Sequence, residues 1–171
     1  KSKMVGRGVF LDVARALGKE RLEDGYGITC ADLDLTANKQ NVDLKRGDFI
    51  VVRTGQLEKC LARGSWDGYP GGDAPGMAFE TLAWVHRTEL AALATDTWGA
   101  EVRPNETEPG INQPWHWITI PIMGMTMGDI FNLKELAEDC AADGVYEYLF
   151  VAPAIRITGG VGSPVNPLAI K

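Results

Sequence analysis

Short runs of β-forming residues alternate with helical segments along this chain, and this alternation constrains the fold more than any other feature. The β-rich runs are bounded by turn residues, and their hydrophobicity predicts burial of at least one face of each strand. We predict strands at residues 48–53, 90–95, 117–120, 146–151 and 155–157. Strands and helices in alternation predict an α/β domain, with a mixed β-sheet and flanking helices.

The clearest helical pattern covers residues 133–142, where apolar residues at i, i+3, i+4, i+7 and i+8 form one stripe. Asn132 and Glu135 have the spacing of a capping box, and Gly144 stands where a left-handed residue ends a helix. Thr29 is the predicted cap of a second helix. The further predicted helices are 30–38, 78–87 and 11–17.

Composition excludes several classes of protein. A chain of 171 residues with 45% hydrophobic and 23% charged residues predicts one domain, residues 1–171, with an ordinary core. The net charge of -6 argues against nucleic-acid binding. Three cysteines without a Cys-x-x-Cys pair disfavour a disulfide framework and a thiolate zinc site. No apolar run approaches the roughly 20 residues of a membrane span, so we expect a cytoplasmic protein with no membrane partner.

Two histidines are the main candidates for chemistry. His86 lies at a predicted helix end, where an imidazole complements the helix terminus, so we interpret it as structural. His116 can be a packed ring or a metal ligand, and Asp129 follows it thirteen positions later. A strand through His116, a turn at 123–124 and a return to Asp129 would bring both side chains to the opening of one cavity. Two ligands alone do not make a catalytic metal site, which needs three or more protein groups.

Two further polar residues follow predicted strands. Asp96 stands where α/β proteins place functional side chains, but a strand-end turn former is the favoured interpretation. Arg53 closes another strand, and we expect it to pair with a buried carboxylate rather than contact a substrate. The glycine-rich stretch 159–163 lacks the lysine of a phosphate-binding loop and predicts a turn.

Several segments in fixed order resemble the cyclase family of metal-dependent hydrolases, which includes kynurenine formamidase (an arylformamidase) and isatin hydrolase. These segments, which together cover nearly the whole chain, are 47–55 (GDFIVVRTG), 74–77 (APGM), 94–99 (ATDTWG), the segment around His116, 132–136 (NLKEL) and 162–170 (GSPVNPLAI). The resemblance implies a layered, swivelling β/β/α fold and a homo-oligomer. It also implies a divalent metal, zinc or manganese, that activates water for attack on a small amide or lactam substrate.

The resemblance also assigns two metal ligands in this chain. His116 falls on the family's later histidine ligand, and Asp129 stands for the glutamate that follows it, although counting back from Asn132 would select Gly128, which cannot ligate. The family's signature His-x-Gly-Thr-His-x-Asp-x-x-x-His is absent and is expected upstream of Lys1. The chain is therefore expected to be the C-terminal portion of a hydrolase, inactive as isolated.

Three tryptophan-containing loops are candidates for the substrate-binding surface, and one alternative function is open. The loops around Trp66, Trp98 and Trp115 are expected to form an apolar rim for a small substrate. The alternative function is a non-catalytic α/β binding or oligomerisation module, in which His116 only packs.

Overall fold

The computed structural model describes residues 4–108 and 110–171. The strands are β1 Val5–Asp12, β2 Gly27–Ile28, β3 Phe49–Arg53, β4 Gly76–Met77, β5 Ala92–Thr95, β6 Thr126–Gly128, β7 Glu147–Val151 and β8 Leu168–Ile170. The helices are α1 Val13–Ala16, α2 Cys30–Lys39, α3 Gln56–Arg63, α4 Thr81–Thr88, α5 Pro114–Trp117 and α6 Lys134–Asp143. A π-helical turn at Ile118–Ile122 continues α5.

Six strands form one mixed sheet in the order β6-β5-β3-β1-β7-β8. Strands β1, β3, β5 and β6 pair in parallel, whereas β7 and β8 are antiparallel additions at one side. A small parallel sheet pairs β2 with β4. The predicted mixed α/β fold with flanking helices is therefore confirmed.

The core lies on both faces of this sheet because side chains alternate along each strand. On β3, Ile50 and Val52 belong to one cluster, together with residues of α2 and α4. Phe49 and Val51 belong to a second cluster, which includes residues of α6. Burial on both faces explains why β3 is a continuous apolar run rather than an alternating one.

Two of the predicted strands are wrong. Residues 117–120 are helical, because Pro114 occupies the first turn of α5 and favours a helix start there. The π-helical turn that follows contains Pro121, which has no N–H for the regular helical hydrogen bond. Residues 155–157 have no regular secondary structure. In the first of these segments the two prolines therefore outweigh the β-branched composition.

The helix predictions hold in part. The Thr29–Asp32 capping box starts α2 as a reciprocal pair of hydrogen bonds, so Thr29 is confirmed as its cap. Gly144 ends α6 in the left-handed conformation, φ 72°, as predicted. The reciprocal capping box predicted at Asn132 is wrong, because α6 begins after Leu133 and, among the described residues, Asn132 Oδ1 accepts only the N–H of Lys134, at 3.5 Å. The helix predicted at 11–17 shrinks to α1, since its first residues extend β1.

The states of the cysteines and the lengths of the helices complete the description of the fold. All three cysteines are free thiols, and Cys60 and Cys140 are buried. In the part of the chain that the structure describes, none of the helices has the length and apolarity needed to cross a lipid bilayer.

Candidate functional site

The carboxyl ends of β5 and β6 lie side by side, which is the edge where open α/β sheets place ligands. Asp129 directly follows β6, and the last residue pair of the two strands is Ala94 with Gly128. The next residue, Ile130, donates its backbone N–H to the carbonyl of Thr97 at 2.9 Å. Asp129 is thus held between β6 and the loop after β5.

His116 reaches the same region from α5. Its neighbour Trp115 is fully buried and donates its indole N–H to Thr81 Oγ1 at 3.0 Å, which anchors the helix to the core. The His116 side chain remains 14% exposed. The chain then reverses at Gly124, φ 70°, and β6 leads to Asp129. The predicted reversal therefore exists, although its first arm is helical rather than extended.

His116 and Asp129 line one cavity of about 1180 Å³. Burial raises the pKa of Asp129 above its usual range, while the charge of His116 and the backbone N–H of Ala100 act in the opposite direction. The fold thus brings both predicted metal ligands to the lining of the same cavity. Apolar side chains of the sheet, including Phe49 and Phe150, line the same cavity.

Glu101 is the functional candidate that sequence reasoning missed. Its carboxylate is buried, and Oε1 lies 2.6 Å from His116 Nδ1. It also accepts the backbone N–H of Trp115 at 3.3 Å and that of His116 at 3.4 Å. The signal in the sequence is a glutamate between two apolar residues, Ala100 and Val102, and both of these are buried. An ionisable residue inside such a stretch needs a polar partner.

A glycine in β4 makes room for Glu101. Met77 and Glu101 form an isolated parallel bridge, which brings the two backbones together beside Gly76. A Cβ added to Gly76 would lie 2.4 Å from the carbonyl carbon of Glu101. Because Gly76 has no side chain, its backbone and that of Glu101 can approach closely, and the Glu101 carboxylate lies beside Nδ1 of His116.

Asp96 and Arg53 both form hydrogen bonds or ion pairs with neighbouring residues of the protein. Asp96 accepts hydrogen bonds from Thr54 N–H and Gly55 N–H, both at 2.7 Å, and thereby ties the end of β5 to the end of β3. Arg53 pairs with Asp12 at 2.8 Å and Glu58 at 2.7 Å, which confirms the expected pairing. These two residues stabilise the edge of the sheet beside the candidate site.

The other aromatic and imidazole candidates lie away from the cavity. Trp115 is fully buried and is absent from the part of the cavity lining that the structure describes, so its side chain does not contribute to the predicted apolar rim of this cavity. Trp66 and Trp98 are absent from the cavity lining, as far as the described residues define it. His86 lies in the last turn of α4, as the helix-end interpretation predicts, and lines a separate groove.

The donor set fits part of a divalent-metal site. Imidazole nitrogen and carboxylate oxygen are ligands that zinc and manganese both accept. Because Glu101 engages Nδ1 of His116, the ring's Nε2 is the atom left to bind an ion. Residues 4–108 and 110–171 contain no group of three or more His, Cys, Asp or Glu side chains that could hold a metal by themselves.

Solved structures share this architecture. A crystal structure described as a novel cyclase is 38% identical, with a TM-score of 0.84, and the match covers 98% of this chain and 54% of that one. Isatin hydrolase A from Ralstonia solanacearum is 16% identical, with a TM-score of 0.75 over 98% of this chain and 60% of its own. A potential metal-dependent hydrolase with cyclase activity is 17% identical, with a TM-score of 0.60 over 96% and 64% of the two chains.

The chain spans between 54% and 64% of the length of these three proteins. The two matches below 25% identity show a shared fold alone. No curated protein matches the chain. The Cyclase family model matches residues 1–102, which is more than half of the chain. Together with the mixed sheet and its flanking helices, this match shows that the protein belongs to the Cyclase family.

Proposed function

We propose that the protein is a metal-dependent hydrolase that cleaves a C–N bond of a small amide or lactam. In this proposal the chain contributes His116 and Asp129 to a site for a divalent ion, zinc or manganese. The observation that carries the proposal is the meeting of these two side chains at one cavity, with the Nδ1 face of the imidazole already engaged by a buried carboxylate. Family membership supports the reaction class.

The remaining ligands would come from segments outside these 171 residues, such as the family's histidine-rich signature. The chemistry that a divalent ion would supply there is a water of lowered pKa and a Lewis acid for the substrate carbonyl. The residues of this chain would hold that ion and shape its surroundings. Apolar side chains of the lining, among them Met127 and Phe131, would exclude bulk water and contact a small apolar substrate.

The test uses the full-length protein that contains these residues. Metal content is measured by mass spectrometry for the wild type and for His116→Ala and Asp129→Asn, with hydrolysis assayed on a panel of N-formyl aromatic amides and lactams. His86→Ala is the matched control, because His86 lies in a groove apart from the cavity. We expect His116→Ala to lose metal and hydrolysis, and His86→Ala to keep both. Unchanged metal content in His116→Ala would remove this residue from the site.

A second candidate is an oligomerisation module, and one observation favours it. The segment after β7 exposes several apolar side chains, namely Ile155, Ile157 and Val161. Exposed apolar patches of this kind occur at protein–protein interfaces. The expected homo-oligomer would cover these side chains, and light scattering of Ile155→Asp and Ile157→Asp tests it. An assembly state equal to that of the wild type would contradict this role.

A further inference from the structure

The Glu101 carboxylate has an arrangement that ordinary surface salt bridges lack. It is 2% exposed and lies on the side of the His116 ring that carries Nδ1. Two backbone N–H groups at the start of α5 also point at it, so its position relative to the ring is fixed by three contacts. A buried carboxylate held by three donors has little freedom to move away.

We infer that Glu101 is a positioning residue for His116. By accepting a hydrogen bond from Nδ1–H, Glu101 selects the tautomer in which the Nε2 lone pair is free. The same hydrogen bond fixes the orientation of the imidazole ring at the cavity that Asp129 also lines. This inference rests on the proposed function, because a selected tautomer matters only if Nε2 binds an ion. Glu101 touches neither the substrate nor the ion in this arrangement.

The surroundings show why this role falls to Glu101. The ring packs edge-on beside Trp115, with ring centres 6.4 Å apart, and its Cε1 edge lies near Gly99. These contacts limit the tilt of the imidazole but do not distinguish its two nitrogens. Only a polar partner on one side does so, and the 2.6 Å contact is to Glu101 Oε1.

A purely structural role is the competing interpretation. In that case Glu101 would satisfy the backbone N–H groups at the start of α5 and the tautomer of His116 would be incidental. Glu101→Gln separates the two roles. The amide oxygen of glutamine can still accept from one of the two backbone N–H groups, which bond different carboxylate oxygens, whereas the charge that favours Nδ1–H is lost.

The first measurement is long-range ¹H–¹⁵N NMR of the histidine rings in the metal-free, full-length protein above pH 8. His86→Ala and His116→Ala assign the two rings of this chain among the histidine signals of the full-length protein, and His86, an exposed residue, then serves as an internal reference. We expect His116 in the Nδ1–H form and His86 in a mixture. In Glu101→Gln, His116 should move toward the mixture seen for His86. A wild-type His116 in the Nε2–H form overturns the inference without any variant.

The second measurement is zinc and manganese affinity by chelator competition. We expect Glu101→Gln to bind about 10- to 100-fold more weakly, the usual loss when a carboxylate behind a metal-bound histidine is removed. Glu138→Gln, an exposed position on α6, is the matched control and should bind as the wild type does. Urea unfolding of each variant reports its stability separately, and Glu101→Asp keeps the charge if the glutamine variant fails to fold.

The outcomes separate this inference from the proposed function. If His116→Ala loses metal while Glu101→Gln keeps wild-type affinity and tautomer, Glu101 is not a positioning residue and the metal site stands. If His116→Ala keeps its metal, the proposed site fails, whatever the tautomer of His116.

Discussion

Asp96 offers the sharpest test of how the edge of the sheet is held together. Its carboxylate is 1% exposed and accepts three hydrogen bonds, from Thr54 N–H at 2.7 Å, Thr54 Oγ1 at 2.8 Å and Gly55 N–H at 2.7 Å. Asp96→Asn keeps the shape of the side chain but replaces one acceptor oxygen with an N–H₂ group. One of the buried donors would then face another donor.

The magnitude follows from these contacts. Losing the hydrogen bond to Gly55 N–H leaves that donor buried and unsatisfied, which costs about 1–3 kcal/mol for a neutral acceptor and more for a charged one such as this. Burial raises the pKa of Asp96, against the donors of Thr54 and Gly55 and the charge of Arg53. The charge is therefore costly to bury, and removing it offsets part of the loss. We expect a net decrease of about 2–3 kcal/mol in the free energy of unfolding.

Urea unfolding followed by circular dichroism measures this decrease. With an m-value of about 2 kcal/mol/M, the midpoint should fall by roughly 1 M or slightly more. Asp67→Asn is the control, because Asp67 is exposed and accepts no side-chain hydrogen bond from the described residues. Thr54→Val removes a hydroxyl that donates to Asp96 and also accepts the backbone N–H of Gln56 at 3.2 Å, so its midpoint should fall below that of the control. An Asp96→Asn midpoint within about 0.25 M of that of the control would refute this account.

Two further predictions concern packing and thiol chemistry. An added Cβ at Gly8 lies 2.3 Å from the Tyr148 ring, so Gly8→Ala should cost about 1–3 kcal/mol and lower the melting temperature. Gly162→Ala, with open space around it among the described residues, should not, and equal melting temperatures would contradict the prediction. Burial raises the pKa of Cys30, and the Glu80 charge adds to this. Its alkylation rate should therefore still rise above about pH 8.5, and a plateau below that pH would count against the prediction.

Local patterns in the sequence determined much of the fold. The capping pair at the start of α2, the glycine at the end of α6 and the apolar runs of β3 and β5 each act through neighbouring residues. Such signals are readable because backbone conformation and burial of one face follow from short periodic patterns. Residues 117–120 show the limit, since their β-branched composition predicted a strand where packing of Trp115 and two prolines produced a helix.

The candidate site was likewise predicted in part from the sequence and decided in part by the tertiary structure. The sequence by itself determined the α/β class and, through its family resemblance, proposed His116 and Asp129 as partners. Only the tertiary structure decided that Glu101 lies behind His116 and that Asp96 ties two strands together. The physical reason is that these contacts join residues 15 and 42 positions apart in the chain. Their geometry depends on how the strands pair and on the close approach of two backbones at Gly76. Neither strand pairing nor this approach can be predicted from a short stretch of sequence.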